Sequence, residues 1–247
     1  MSSGAAAGAV GGAAAAVVMY SVTEPLLRQA LMVEDRRVHA GAGHEMAEPL
    51  VGRTMQVVGG MATTLVIGAI FGVVFSVVFA RTRHRLPALT EHGRVMALAA
   101  LGFVVFALAP QIKIPGNPPA VGDPATISHR TLIFTLTILL TLALVLALFN
   151  LDASLRDRLS IPVRSIVTVA AFAVGTSAIL LLVPDSPDGI PTDMPTTLIW
   201  NFRLASLGQL ATMWASLGLV FSVLIHRGRR QPRLHSLDPQ RGGPHQA

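Results

Sequence analysis

VVGGMATTLVIGAIFGVVFSVVFA, residues Val57–Ala80, holds no charged side chain; the charges nearest to it are Arg53 and Arg81. A helix crosses the ~30 Å hydrocarbon layer of a bilayer in about 20 mostly apolar residues. This run meets that length, and charge stops abruptly on either side of it. Its natural reading is a membrane-spanning helix, and the rest of the chain has to be read as a membrane protein.

Further apolar runs occupy about 95–110, 132–151, 166–183 and 198–225, and a weaker one, dominated by Ala and Gly, about 4–22. The chain is therefore expected to be an all-α integral membrane protein, a bundle of about six transmembrane helices. Residues 1–226 would form one polytopic domain. Residues 227–247, rich in Arg, Pro, Gly and His, would form a disordered basic cytoplasmic tail. A signal peptide is the alternative reading of the first run, but no Lys or Arg precedes Arg28, so the basic start of such a peptide is missing. Gly4, Gly8, Gly12 and Ala16 instead recur every fourth residue. Such a stripe lets helix backbones approach closely in lipid, so a packed first helix is predicted.

Composition agrees. Charged residues make up 13% of the chain, against about 25% in soluble domains, and hydrophobic residues 52%. The formal charge of +6 is dispersed over loops and aromatics are scarce. A nucleic-acid groove would need both clustered, so no nucleic acid is expected as partner. The chain has no cysteine, which leaves metal chemistry to His, carboxylate, carbonyl oxygen and Met.

Arginine in short loops sets orientation. The second loop holds Arg81, Arg83, Arg85 and Arg94, the fourth Arg156, Arg158 and Arg164, and the tail Arg227, Arg229, Arg230, Arg233 and Arg241. The third has Lys113 and Arg130, and the fifth, 184–197, has neither Lys nor Arg. Only the first loop, with Arg28, Arg36, Arg37 and Arg53 among several acids, blurs the alternation. The pattern predicts both termini in the cytoplasm (N-in/C-in) and loops one, three and five outside.

Chemistry is then sought on those outer loops. HAGAGHEMAE, residues 39–48, contains His39, His44, Glu45 and Glu48. If the chain is helical from His44 onward, His44 and Glu48 share a face one turn apart. Imidazole and carboxylate together suit a divalent cation, and the glycines would let His39 fold back towards the same point. A solvated loop whose histidines touch nothing is the plainer alternative. HEMAE is not the HExxH of a zinc hydrolase, because position 48 is Glu. No nucleophile–base pair is evident, and no enzyme activity is expected. The third loop is stiffened by Pro115, Pro118, Pro119 and Pro124 and reads as a structural lid. Asp123 there has the position of a cap, and Asn117, Asp123 and His129 form a weaker candidate ligand set. Asp185, Asp188 and Asp193 of the fifth loop carry no local countercharge and would complete a vestibule attractive to cations. Within the last span, Arg203 beside Trp200 and Gln209 about two turns deeper are candidates for a pathway or a helix contact, and Trp200 and Trp214 for anchors at its two ends.

KIPGNPPAVGDPATISHRT, Lys113–Thr131, resembles the proline-rich signature that follows the third helix in the CbtA family of predicted cobalt transporter subunits. The His/Glu-bearing first loop before a Gly-rich span, and WNFRLASLGQLATMWASLGLVF at 200–221, resemble the same family. The resemblance implies a multi-pass protein of the bacterial cytoplasmic (inner) membrane, associated with cobalt supply for cobalamin synthesis. It implies no cofactor, Co2+ or another divalent cation as transported substrate, and a small histidine-bearing single-span CbtB-like partner. Carried over by position, His44 and Glu45 fall in the histidine loop, Asn117, Pro118, Pro119, Gly122 and Asp123 in the signature, and Arg203 and Gln209 in the final span. The reading is a cobalt permease subunit with a capture loop; the alternative is a non-transporting scaffold or assembly subunit.

Overall fold

The structure, a computed structural model, describes residues 2–39, 52–85, 90–119 and 121–230. Among these there is no strand. Helix α1 (Ser2–Val18) continues through a π-helical turn, Met19–Thr23, into α2 (Glu24–His39). Then come α3 (Arg53–Thr82), α4 (Glu91–Phe103), a second π turn (Val104–Leu108) and α5 (Ala109–Lys113). After the proline loop, a 3-10 turn (Pro124–Thr126) starts α6 (Ile127–Ser154), followed by α7 (Ile161–Leu182) and α8 (Thr196–Arg230). Six of these helical stretches are long and apolar enough to cross a membrane. The chain is an all-helical, multi-pass membrane bundle, as the apolar runs predict.

The first run does not end near residue 22; its helix carries on to His39. The obstacle is Pro25, which has no N–H and whose ring clashes with the carbonyl four residues back. Directly before it the helix widens: the Glu24 N–H donates to Met19 O, five residues back. The same device precedes Pro110, where the Ala109 N–H donates to Val104 O. Each π turn adds a residue to the coil just ahead of a proline and carries the helix past it.

α1 is clamped between α3 and α8. Its glycines meet α3 in antiparallel register, Gly4 against Gly72 and Ser76, Gly8 against Gly68 and Gly72, and Gly12 against Thr64 and Leu65. A Cβ on Gly8 would run into Gly68 O, and one on Gly11 would lie 2.8 Å from Met213 O on α8. Lipid tails are as apolar as side chains, so it is this close packing that holds the helices together. Toward one end the core becomes aromatic: Trp214 stacks on Phe106 and meets Phe71 edge-on, and Phe221 meets Phe75 and Phe79. Trp214 thus sits in the core, over Gly102, and does not anchor an interface; Trp200 stays exposed. α7 lies at the periphery with no buried residue.

Among the described residues, this packing brings the end of α2, the proline loop and the fifth loop together at one end of the bundle, with Ser2 and the end of α8 at the other. A second, smaller core lies at the loop-bearing end, built from Ala30 of α2, Val121 of the proline loop, Met194 of the fifth loop, and Leu198 and Ile199 at the start of α8. Val121 thus packs the proline loop against α2 and the start of α8. Asp123 Oδ1 accepts from the Ala125 N–H at 2.8 Å, the capping role its position suggests. Gly122 has φ +112°, and a Cβ there would strike Arg130 and Asp188.

Candidate functional site

The end that gathers the three loops is built from ion pairs between segments far apart in sequence. Asp185 Oδ1 accepts from Lys113 Nζ at 2.6 Å. Asp188, its side chain only 1% exposed, lies 3.0 Å from Arg130 Nε and accepts from Thr126 Oγ1 at 2.6 Å. Asp193 accepts from both Nε and Nη2 of Arg37, a two-pronged contact across 156 positions. Those guanidinium hydrogen bonds hold the Asp193 carboxyl below the ordinary carboxylate range. The expected cation vestibule is therefore corrected: each aspartate of the fifth loop meets a countercharge from another loop. Lys113, Arg130 and Arg37 cancel the acids because the fold brings them there.

The first loop behaves similarly. Glu24, buried at the turn from α1 into α2, accepts from Arg28 Nε at 2.9 Å and from Arg53 Nη2 at 2.5 Å. Three of the four arginines that blur the alternation thus stand in pairs with carboxylates. Sequence reasoning misses Glu24, since neither its burial nor Arg53, 29 positions away, is a local signal.

Of the capture-loop candidates, His39 closes α2 and stands exposed, its Nδ1 2.8 Å from the carbonyl oxygen of Asp35. That oxygen can only accept, so in the neutral ring Nδ1 carries the proton and Nε2 keeps its lone pair. His44, Glu45 and Glu48 lie outside the described residues, as do residues 231–247 of the tail. The weaker ligand set does not converge. Asn117 Oδ1 accepts from Arg203 Nε and Nη2 at 3.0 and 2.8 Å, Asp123 is a cap, and His129 is exposed on the first turn of α6. Among the described residues no three His, Asp or Glu side chains are grouped so as to hold a metal.

Gln209 accepts from Thr23 Oγ1 at 3.3 Å and so joins α8 to the first π turn. Six residues along one helix separate it from Arg203, about 240° of rotation, so the two face different neighbours. Beside Gln209's helix an open groove of about 600 Å³ runs between the first π turn and α8, lined by Ser21, Asn201, Gly208 and Thr212 among apolar residues. From Asn201 to Thr212 it descends roughly 16 Å, about half the hydrocarbon thickness. The hydroxyls of Ser21 and Thr212 donate back to Val17 O and Gly208 O, which leaves their oxygen lone pairs available. At the opposite end a pocket of about 440 Å³ is lined by Glu91, His92, Ser222 and His226; His92 Nδ1 lies 2.8 Å from Ser222 Oγ. Between the two, Met213, Trp214, Leu217 and Phe221 are buried.

Comparison with known proteins adds one positive finding. A family model described as "Probable cobalt transporter subunit (CbtA)" matches residues 1–226. No curated protein and no solved structure matches the chain.

Proposed function

The chain belongs to the CbtA family of probable cobalt transporter subunits, and from that premise we propose that it moves a divalent cation, cobalt foremost, inward across a bacterial cytoplasmic membrane. Both termini and the arginine-rich loops face the cytoplasm in this reading; the alternation of arginine supports it. The ion is first held at the outer end by His39 with His44, Glu45 and Glu48. The observation that carries this role is His39 itself, exposed beside Asp35 with Nε2 presented to solvent. The aspartates of the fifth loop are neutralised and serve to fasten loops together, so capture falls to the first loop.

From there the ion follows the groove past Asn201, Ser21 and Thr212 toward the middle of the membrane. The glycine seams of α1 are closed by backbone contact and give no passage, so the route runs beside them. Release on the other side is to the pocket of Glu91, His92 and His226, and the aromatic core must part for the ion to reach it. The membrane potential would supply about 2.3 kcal/mol per charge per 100 mV, twice that for a divalent ion. Cobalt is named on family grounds, since His/carboxylate ligands by themselves favour nickel and copper. A single-span, histidine-bearing CbtB-like subunit is the expected partner, and it would extend the capture loop's ligand set.

Proteoliposomes holding only this chain, with an inside-negative potential imposed, test the reading through radiolabelled cobalt uptake. Saturable accumulation is expected, falling at least tenfold at low cobalt for His39→Ala, His44→Ala and Glu48→Ala combined. Absence of uptake that returns on adding the partner would make this chain a subunit dependent on it. No uptake in either case would leave the scaffold reading.

A further inference from the structure

Arg203 differs from the other buried or half-buried cations at its end of the bundle. Arg37, Arg53, Lys113 and Arg130 each meet a carboxylate. Arg203 spends two of its donors on one neutral acceptor, Asn117 Oδ1, and lies 5.5 Å from the Trp200 ring centre. Neither contact supplies a negative charge. About two turns into α8, a guanidinium left with its full charge near the membrane interface is costly unless an anion reaches it.

Its surroundings show where that anion would come from. Arg203 lines a pocket of about 330 Å³ with Gln111 and Pro115 on one wall and Trp200, Leu204 and Leu207 on the other. The rim is apolar and outward-facing: Trp200 is 56% and Leu204 62% exposed. The volume is at the small end of the range for ligand sites, about 300–1,000 Å³. It can take a headgroup phosphate and the first part of an acyl chain, with the rest of the lipid lying along the helix surface. Tryptophan at headgroup depth and arginine reaching toward it are common features of that interface.

We propose that the pocket between α5 and α8 seats one anionic phospholipid, its phosphate on Arg203 and its glycerol and chain against Trp200, Leu204 and Leu207. The lipid completes the charge balance at the loop-bearing end and braces the Asn117 loop from outside. This site is separate from the proposed capture loop and stands whether or not the chain transports cobalt.

The full chain, purified in mild detergent, is titrated with phosphatidylglycerol and with phosphatidylcholine, and retained lipid is counted by native mass spectrometry. At least tenfold preference for phosphatidylglycerol is expected. Arg203→Gln should bring retention down to the phosphatidylcholine level, and Arg203→Lys should keep most of it. Leu207→Trp fills the pocket from a residue that takes no part in the Arg203–Asn117 hydrogen bonds and should also abolish retention; it carries the test if Arg203→Gln does not fold. Glycerol 3-phosphate at equal concentration should not displace the lipid, because it lacks the chain. Equal retention of both lipids, wild-type retention by folded Leu207→Trp, or displacement by glycerol phosphate as effective as by lipid would each overturn the proposal.

Discussion

The Asp193 carboxyl and the Arg37 guanidinium show what individual residues contribute at the loop-bearing end. Their hydrogen bonds lower the folded-state pKa of Asp193 below its ordinary 3.8. A depressed carboxylate pKa adds stability that is present above the unfolded value and lost as pH falls through the folded one. The tie between α2 and the fifth loop should therefore hold at neutral pH and fail only in acid. Carboxyl-carbon NMR should place the Asp193 midpoint below 3.8, and Arg37→Gln should move it upward; a midpoint unmoved by that change would count against the pairing. Asp188 is a different case, because its side chain is buried against Arg130. Asp188→Ala leaves that guanidinium without its partner and should destabilise the protein by about 3 kcal/mol in a denaturation titration. Local sequence suggests neither pair. It shows Asp185, Asp188 and Asp193 with no countercharge nearby, which is true along the chain and untrue in space.

At the scale of elements, α1 depends on its glycines and the two π turns depend on their prolines. A Cβ on Gly8 meets Gly68 O and the Gly72 backbone, where nothing can rotate away. Gly8→Ala should therefore cost about 1–3 kcal/mol of stability, the usual range for overpacking. Gly59, on the same α3 but with open space where its Cβ would go, should accept alanine with a change under about 1 kcal/mol. Thermal unfolding of both variants in one detergent separates the two expectations. The four-residue stripe of Gly4, Gly8 and Gly12 makes α1 legible as a packed helix. Its continuation to His39 is not legible, since Glu24–Pro25 after an apolar run reads as a stop. The π turn that carries the helix past Pro25 is a hydrogen-bond shift of one residue, and it leaves no mark on hydropathy.

For the molecule as a whole, orientation is the expectation with the widest consequences. The chain has no cysteine, so single-cysteine variants report sides without background. Ser186→Cys in the fifth loop should react with a membrane-impermeant thiol reagent in intact cells. Asp157→Cys in the fourth should react only after permeabilisation. The reverse pattern would place the capture loop in the cytoplasm and remove the proposed inward route. Six spans follow from the sequence alone, because crossing the bilayer takes about 20 consecutive, mostly apolar residues, a condition that a linear string displays directly. Which charges neutralise one another, that Arg203 meets no carboxylate among the described residues, and that the glycine seams are shut while a groove beside them is open were decided only by tertiary structure. Each depends on distances between segments far apart along the chain, and such distances are set by packing, not by composition.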